Sequence, residues 1–272
     1  MADRLLRWLG AAIVAVLALT MVLPFLYMVS TSLMDEFEVL RFPPALVPRT
    51  PRPGNYAAAL TALPFGRFFL NSLIFAGTVA LAQVATSAAA AYAFARLPFP
   101  GRDRVFFAFL SVLMVPAIVL LIPRFLLVNA LGWVDTWAGL LSTELVSVWG
   151  IFLLRQFFQT LPRDLEDAAR LDGAGEWTIF RRVALPLCVP ALVTLGVFAF
   201  VDQWKNFLWP LIVTRSLDRQ VVELGIASFH GIYYTNWPHQ MAAAVAGMVP
   251  LLALFFVAQR AFVRGIQLTG FK

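Results

Sequence analysis

The sequence predicts an all-α integral membrane protein of six transmembrane helices, and three observations predict it. Of its 272 residues, 61% are hydrophobic and only 13% are charged, and the mean hydropathy is +0.80. A soluble domain carries about a quarter charged residues, and a core of this size cannot hide the surplus apolar surface from water. The charges are also widely spaced, bounding uncharged stretches of about 20 residues, the length a helix needs to cross a bilayer. Between the stretches lie segments rich in proline or in charge. This composition excludes an ordinary cytosolic enzyme, a disordered tail and a secreted disulfide module.

The spans follow from the charges. No charge lies between Arg7 and Asp35, Arg67 and Arg96, Arg104 and Arg124, or Arg182 and Asp202. A further stretch runs from Glu223 to Arg260, apolar from Met241. A sixth, between Asp135 and Arg155, is broken only by Glu144. The expected helices cover residues 8–33, 68–95, 105–127, 136–158, 186–211 and 241–262. The first run is longer than the ~7–15 residues of a signal-peptide core, so it is expected to be retained as a span. Residues 35–66 contain Pro43, Pro44, Pro48, Pro51 and Pro53 and read as an irregular, extended outer loop. The chain thus divides into a first helix with its loop, 1–66, and a core of five spans, 67–272.

The net charge of +6 and the pI of about 10.1 come from arginines at the ends of the spans. Such a distribution points to membrane orientation and not to nucleic acid. With the N-terminus inside, 13 basic residues, from Arg4 to Lys272, fall on the inner side and 8 on the outer. That bias predicts an N-in, C-in topology. Cys188 is the only cysteine, so no intrachain disulfide forms. His230 and His239 are read as solvated loop residues, and no metal site is expected.

The densest charge cluster is the segment 162–186, PRDLEDAARLDGAGEWTIFRRVALP. Asp164 is expected to N-cap a short helix with Asp167 in a capping-box-like position. Leu165, Ala168 and Ala169 then share a face, and the two alanines allow close approach of another surface. Gly173 suits a left-handed helix end. A second short helix carries Trp177, Phe180 and Ala184 on one stripe, and Pro186 opens the fifth span. A lipid-surface helix is the alternative. The acids Asp164, Glu166, Asp167, Asp172 and Glu176 fit poorly against anionic headgroups and favour a protein partner.

This segment resembles the EAA loop of ABC-importer permeases, E-A-A-x(3)-G-x(9)-I-x-L-P. Here Asp167-Ala168-Ala169, Gly173 and Val183-Ala184-Leu185-Pro186 hold the same spacing, with Asp for Glu and Val for Ile. The surroundings resemble the carbohydrate-uptake branch and its smaller maltose-type subunit. Phe152-Leu153-Leu154-Arg155-Gln156-Phe157-Phe158, Leu171-Asp172-Gly173-Ala174, Asn71-Ser72, Ala91-Tyr92-Ala93, Pro116, Leu131-Gly132, Asp135-Thr136, Trp204 and Trp209-Pro210-Leu211 carry this likeness.

The resemblance implies the transmembrane fold of type I ABC importers in a bacterial or archaeal inner membrane. It implies that Glu166, Asp167, Ala168, Ala169, Leu171, Asp172 and Gly173 form a coupling helix seated on an ATPase. It also implies the partners: a second, homologous permease, two ATPase subunits holding ATP and Mg, and an extracytoplasmic substrate-binding protein. The residues agree on one point. Neither Lys205 nor Lys272 follows a glycine, so the chain has no G-x(4)-G-K-[ST] phosphate loop. No catalytic residue or cofactor is expected in this chain, and ATP hydrolysis falls to a partner.

Polar residues within the spans are the candidates for a solute path. Glu144 is costly in a bilayer and has two readings. Either it lines a watery path and hydrogen-bonds a polyol, or it lies neutralised against a partner permease. Asp202, Gln203, Trp204 and Asn206, with Lys205, combine an aromatic face with planar hydrogen-bonding groups, as carbohydrate recognition requires. Trp209 reads as a headgroup-level anchor and Lys205 as a snorkelling side chain. Pro24, Pro116, Pro123 and Pro250 are potential kinks. The function expected is that of a permease subunit of an ATP-driven, binding-protein-dependent importer for a sugar or oligosaccharide. The alternative is a secondary transporter or channel for a small polar solute. Against it, no internal repeat, charged relay or pore ring is evident. A membrane enzyme would need a nucleophile or histidine beside its acids, which this sequence does not supply.

Overall fold

The computed structural model describes residues 2–231 and 234–269. Lys272, counted above to the inner side, lies outside the described residues. The described chain is helical: α1 Ala2–Ser32, α2 Glu36–Val39, α3 Gly54–Ala62, α4 Phe65–Arg96, α5 Arg102–Ser111, α6 Leu121–Ala130, α7 Trp137–Leu141 and α8 Val148–Thr160. There follow α9 Asp164–Leu171, α10 Glu176–Ile179, α11 Leu185–Leu187, α12 Val189–Trp204, α13 Leu208–Val213, α14 Val222–Ala227 and α15 Trp237–Thr269. Among the described residues, three helical segments, Arg7–Ser32, Phe65–Arg96 and Trp237–Gln259, are long and apolar enough to cross a membrane. Three bent pairs raise the number to six if each is one span: Arg102–Met114 with Ala117–Ala130, Trp137–Glu144 with Val148–Thr160, and Glu176–Leu187 with Val189–Trp204.

The bends have local causes. The first pair turns by 91° at Val115-Pro116, where proline offers no N–H and forces the residue before it to extend, as Val115 does at ψ 119°. Pro24 and Pro250, by contrast, sit inside continuous helices. The second pair bends by 42°, and the Ser147 hydroxyl restarts the helix by accepting the Gly150 N–H at 3.0 Å. The third turns by 78° at Cys188, with Pro190 near the start of α12.

The expected fifth span, 186–211, is corrected accordingly. Its helix begins at Val189 after a π turn over Phe180–Ala184, and it stops at Trp204, with α13 separate beyond it. Residues 35–66 are corrected too, since they hold α2 and α3.

By its contacts the chain forms two units, 1–66 with 225–249 and 67–224 with 250–272. In the first, the end of α1 is satisfied by the segment after it. Asn55 Nδ2 donates to the carbonyls of Ser32 and Met34, both at 2.9 Å, and Ser32 Oγ lies 2.7 Å from Tyr56 Oη. Arg52 pairs with Asp35 at 2.8 Å. These bonds take up carbonyls that the last turn of a helix leaves over.

In the second unit, α4 packs along α8 and α12 through small residues. Ala88, Ala91, Ala95, Ala184 and Ala191 are buried between Tyr92, Leu154, Phe158 and Leu195. Small side chains let helix backbones approach where lipid offers no hydrophobic contrast. Gly150 of α8 shows how close they come. A Cβ there would stand 2.7 Å from Ser87 Oγ and 3.0 Å from Leu195 Cδ1. A second buried cluster, including Phe75, Val128, Leu140, Trp209 and Val213, joins α4, α6, α7 and α13. Asn71 Nδ2 donates to the carbonyls of Asp218 and Gln220 at 2.9 and 2.8 Å, and Ser72 Oγ accepts from Val222 N at 2.8 Å. Asp135, at φ 60°, accepts from the N–H groups of Arg215 and Ser216 at 2.9 and 3.1 Å.

Candidate functional site

The segment 162–186 forms α9, a turn and α10. Asp164 is the first helical residue and Arg163 the cap, without a side-chain bond, so the expected Asp164 N-cap is corrected. The three acids of the first turn still oppose the positive end of the helix dipole. At the other end Gly173 takes φ +81°. Its N–H reaches Arg170 O at 3.0 Å, and Ala174 N reaches Ala169 O at 3.0 Å, the two bonds of a Schellman motif. Leu165, Asp167, Ala168, Leu171, Asp172 and Gly173 are exposed and Ala169 half-buried. Leu171 is 90% exposed and Trp177 69%, a large apolar area to leave unpaired.

Glu166 departs from this group and is a correction. Its side chain is 4% exposed and points inward to Arg96, itself 4% exposed, at the end of α4, with 3.2 Å between Oε1 and Nε. Burial pushes the Glu166 carboxyl up from its ordinary range, against the pull of Arg96 and Arg170. Arg170 pairs with Asp167 and Glu176. Its Nη1 donates to Asp167 at 2.7 Å and its Nε to Glu176 at 2.8 Å, and these partners hold its guanidinium more firmly charged. Arg96 Nη2 donates to Leu161 O at 2.6 Å, and Tyr92 Oη to Glu176 Oε2 at 3.4 Å. Arg96 and Tyr92 as partners of the loop were missed by the sequence reading. The available signal was a lone arginine closing an uncharged run.

Glu144 lies at the break between α7 and α8, in a 3-10 turn. One carboxylate oxygen meets the Arg124 guanidinium, and the other accepts from Gln203 Nε2 at 3.2 Å. Gln203 Oε1 in turn accepts from Asn206 Nδ2 at 3.0 Å. Arg124 stands 4.4 Å above the Trp209 ring, a cation–π contact. Two clefts meet at this cluster. One, of about 670 Å³, is lined by Arg124, Glu144, Asp202, Gln203, Lys205 and Asn206 among others. The other, of about 350 Å³, shares Glu144, Asp202 and Gln203 and adds Gln83, Ser147 and Trp149.

Two aromatic readings are corrected. Trp204 is 2% exposed, stacks on Phe200 with centroids 5.6 Å apart, and lines neither cleft. Trp209 is 2% exposed and donates from Nε1 to Leu140 O at 3.2 Å, so it is a core residue and not a headgroup anchor. Arg124, which in the sequence bounds an uncharged stretch, is the direct partner of Glu144. Opposite charges in successive spans were the signal for it.

The family described as binding-protein-dependent transport system inner membrane component matches residues 83–268. The arabinooligosaccharides transport system permease protein AraQ of Halalkalibacterium halodurans is 32% identical over 271 residues, covering 98% of this chain and 97% of that protein. The sn-glycerol-3-phosphate transport system permease protein UgpE of Rhizobium meliloti is 32% identical over 254 residues, covering 90% of each. A solved bacterial ABC transporter involved in the import of the acidic polysaccharide alginate superposes with TM-score 0.83 at 22% identity, covering 96% of this chain and 98% of that one. At that identity the likeness concerns the fold, that of an ABC-importer membrane chain.

Proposed function

The chain belongs to the family of binding-protein-dependent transport system inner membrane components, and on that premise we propose how it works and what it carries. It is a permease subunit, and ATP is hydrolysed by partner ATPases. In our reading the bent pairs count as single spans, giving six helices with both termini inside and residues 67–272 as the permease core. The loop 162–186 faces the cytoplasm and couples to an ATPase through Asp167, Ala168, Leu171 and the turn at Gly173. The clefts around Glu144, Asp202, Gln203 and Asn206 line the path of a sugar or oligosaccharide, delivered by an external binding protein to a pair of such permeases. The carboxylates and amides of the clefts suit a polyhydroxylated solute, since the carboxylates accept from hydroxyls and the amides both donate and accept, without a formal charge on the ligand.

The observation that carries the coupling role is the exposure of Leu171, 90%, at the end of a helix with an acidic first turn, closed by a left-handed glycine. Apolar surface at that position is accounted for by a groove on a partner. The test is to purify the chain with its ATPase and replace Ala168 by Trp. Loss of substrate-stimulated ATP hydrolysis is expected, and unchanged stimulation would sink the coupling role.

For the solute, ATP hydrolysis by the reconstituted complex would be screened over arabino-oligosaccharides, other short glycans and glycerol 3-phosphate. A second reading, an anionic polyol, is favoured by Lys205 in the larger cleft and by the sn-glycerol-3-phosphate transport system of the UgpE relative. Stimulation by glycerol 3-phosphate alone would select it.

A further inference from the structure

Helix α4 touches the loop and the cleft through two separate sets of side chains, and α8 runs between the same two places. At its last turn, α4 holds the loop where it begins, through Arg96 to Leu161 O at 2.6 Å. It holds α9 itself through the buried contact of Arg96 with Glu166 at 3.2 Å. It holds the start of α10 through Tyr92 to Glu176 at 3.4 Å. Nearer its middle, α4 donates to carbonyls at the break before α8. Gln83 Nε2 donates to Glu144 O at 2.7 Å, Thr86 Oγ1 to Leu145 O at 3.3 Å, and Ser87 Oγ to Ser147 O at 3.4 Å. Between the two sets the helices pack through the buried Ala88, Ala91, Leu154 and Phe158, and beside Ser87 there is no room for a Cβ at Gly150.

From Gln83 to Arg96 is about 20 Å of continuous helix at 1.5 Å per residue. Two helices fastened to each other at both ends and packed tightly between cannot slide independently, because packed interfaces shift in steps rather than deform continuously. The contacts of Glu144 with Arg124 and Gln203 differ in kind. They are side-chain contacts made across the boundary where the two clefts meet, to helices outside the clamped pair.

We infer that α4 and α8 form the rod that carries displacement of the loop to Glu144, and that the buried Arg96–Glu166 contact is the joint by which the loop grips it. Displacement of α9 then moves Glu144 against Arg124 and Gln203 and alters the opening between the two clefts. Arg96, Glu166 and Gln83 are positioning residues in this scheme. The inference rests on the coupling reading given above and adds the route by which coupling reaches the cleft.

The test uses the whole complex, with ATPases and binding protein, in proteoliposomes, and reads solute transported per ATP hydrolysed. The double variant Arg96→Met with Glu166→Leu removes both charges and keeps apolar bulk. It is expected to retain ATP hydrolysis while the transport ratio falls about fivefold or more, whereas Arg96→Lys keeps most of the ratio. An unchanged ratio in the double variant overturns the inference, whatever its yield. Should the double variant lose its ATPase, Thr86→Val decides, since Thr86 bonds the break through Leu145 O, lies far from the loop surface and lines neither cleft. A lowered ratio there supports the rod and an unchanged one overturns it. A wild-type complex without ATP-driven transport would instead overturn the coupling reading itself, and the rod with it.

Discussion

The guanidinium of Arg124 lies 4.4 Å from the ring centroid of Trp209 while its Nη2 contacts the Glu144 carboxylate. One cation therefore satisfies an acid and an aromatic face at the edge of the larger cleft. Arg124→Gln leaves Glu144 partly buried without its counter-charge. A fully buried pair broken on one side costs about 3–5 kcal/mol. Here the side chains are 27% and 15% exposed, and roughly 2 kcal/mol is expected after screening. The double variant Arg124→Gln with Glu144→Gln should recover much of that loss, as read from thermal unfolding of the purified complex. Uptake should stay low in both, because each lacks the Arg124–Glu144 ion pair at the edge of the cleft.

Trp209→Leu should destabilise the complex by about 3 kcal/mol, through lost packing and the orphaned Leu140 carbonyl. A surface anchor replaced by leucine would change stability by well under 1 kcal/mol, so denaturation midpoints separate the two roles.

Asp135 should give the chain a stability term on the acid side. The Arg215 N–H, and after it the Ser216 N–H and hydroxyl, hold its carboxyl below the usual range near 4. A depressed folded value means stability present above the unfolded value and lost as pH falls through the folded one. Wild type should therefore lose stability below about pH 4, and Asp135→Asn should flatten that descent. Asparagine tolerates φ 60°, so the substitution tests the charge and not the backbone. An unchanged acid limb in the melting temperature would count against it.

At Gly150, valine forces atoms against Ser87 Oγ and Leu195. Overpacking of this kind costs about 1–3 kcal/mol, and the lowered unfolding temperature should come with reduced uptake. Gly173→Val strains φ +81° by roughly 1–2 kcal/mol on an exposed turn. Its signature should be weaker retention of the ATPase on affinity resin with little change in the melting temperature of the membrane chain.

The long helices were legible because a single rule produces them. Uncharged runs of sufficient length bracket α1, α4 and α15, and the loop signature carried its own spacing. The bends were legible only where proline forces them, as at Pro116. The turn at Cys188 depends on a π turn upstream that no local pattern announces, so Pro186 was given a role that falls nearer Pro190. In the candidate site, Glu144 and the pair Gln203 and Asn206, separate candidates in the sequence, line one cleft. Their partner Arg124 did not suggest itself, because charge counting by side of the membrane treats each arginine as an anchor. Glu166 was misjudged for a related reason. Acids beside a partner surface were all read as facing it, and helical periodicity cannot tell which one turns back toward a buried arginine.

The exposed Leu171 and Trp177 have a consequence for the cell rather than for the transport cycle. A copy of this chain made in excess of its partners presents a greasy, unmatched surface to water, and such surfaces invite aggregation and proteolysis. The features that would seat the chain on an ATPase would thus also police stoichiometry, since only copies with that surface covered would escape clearance.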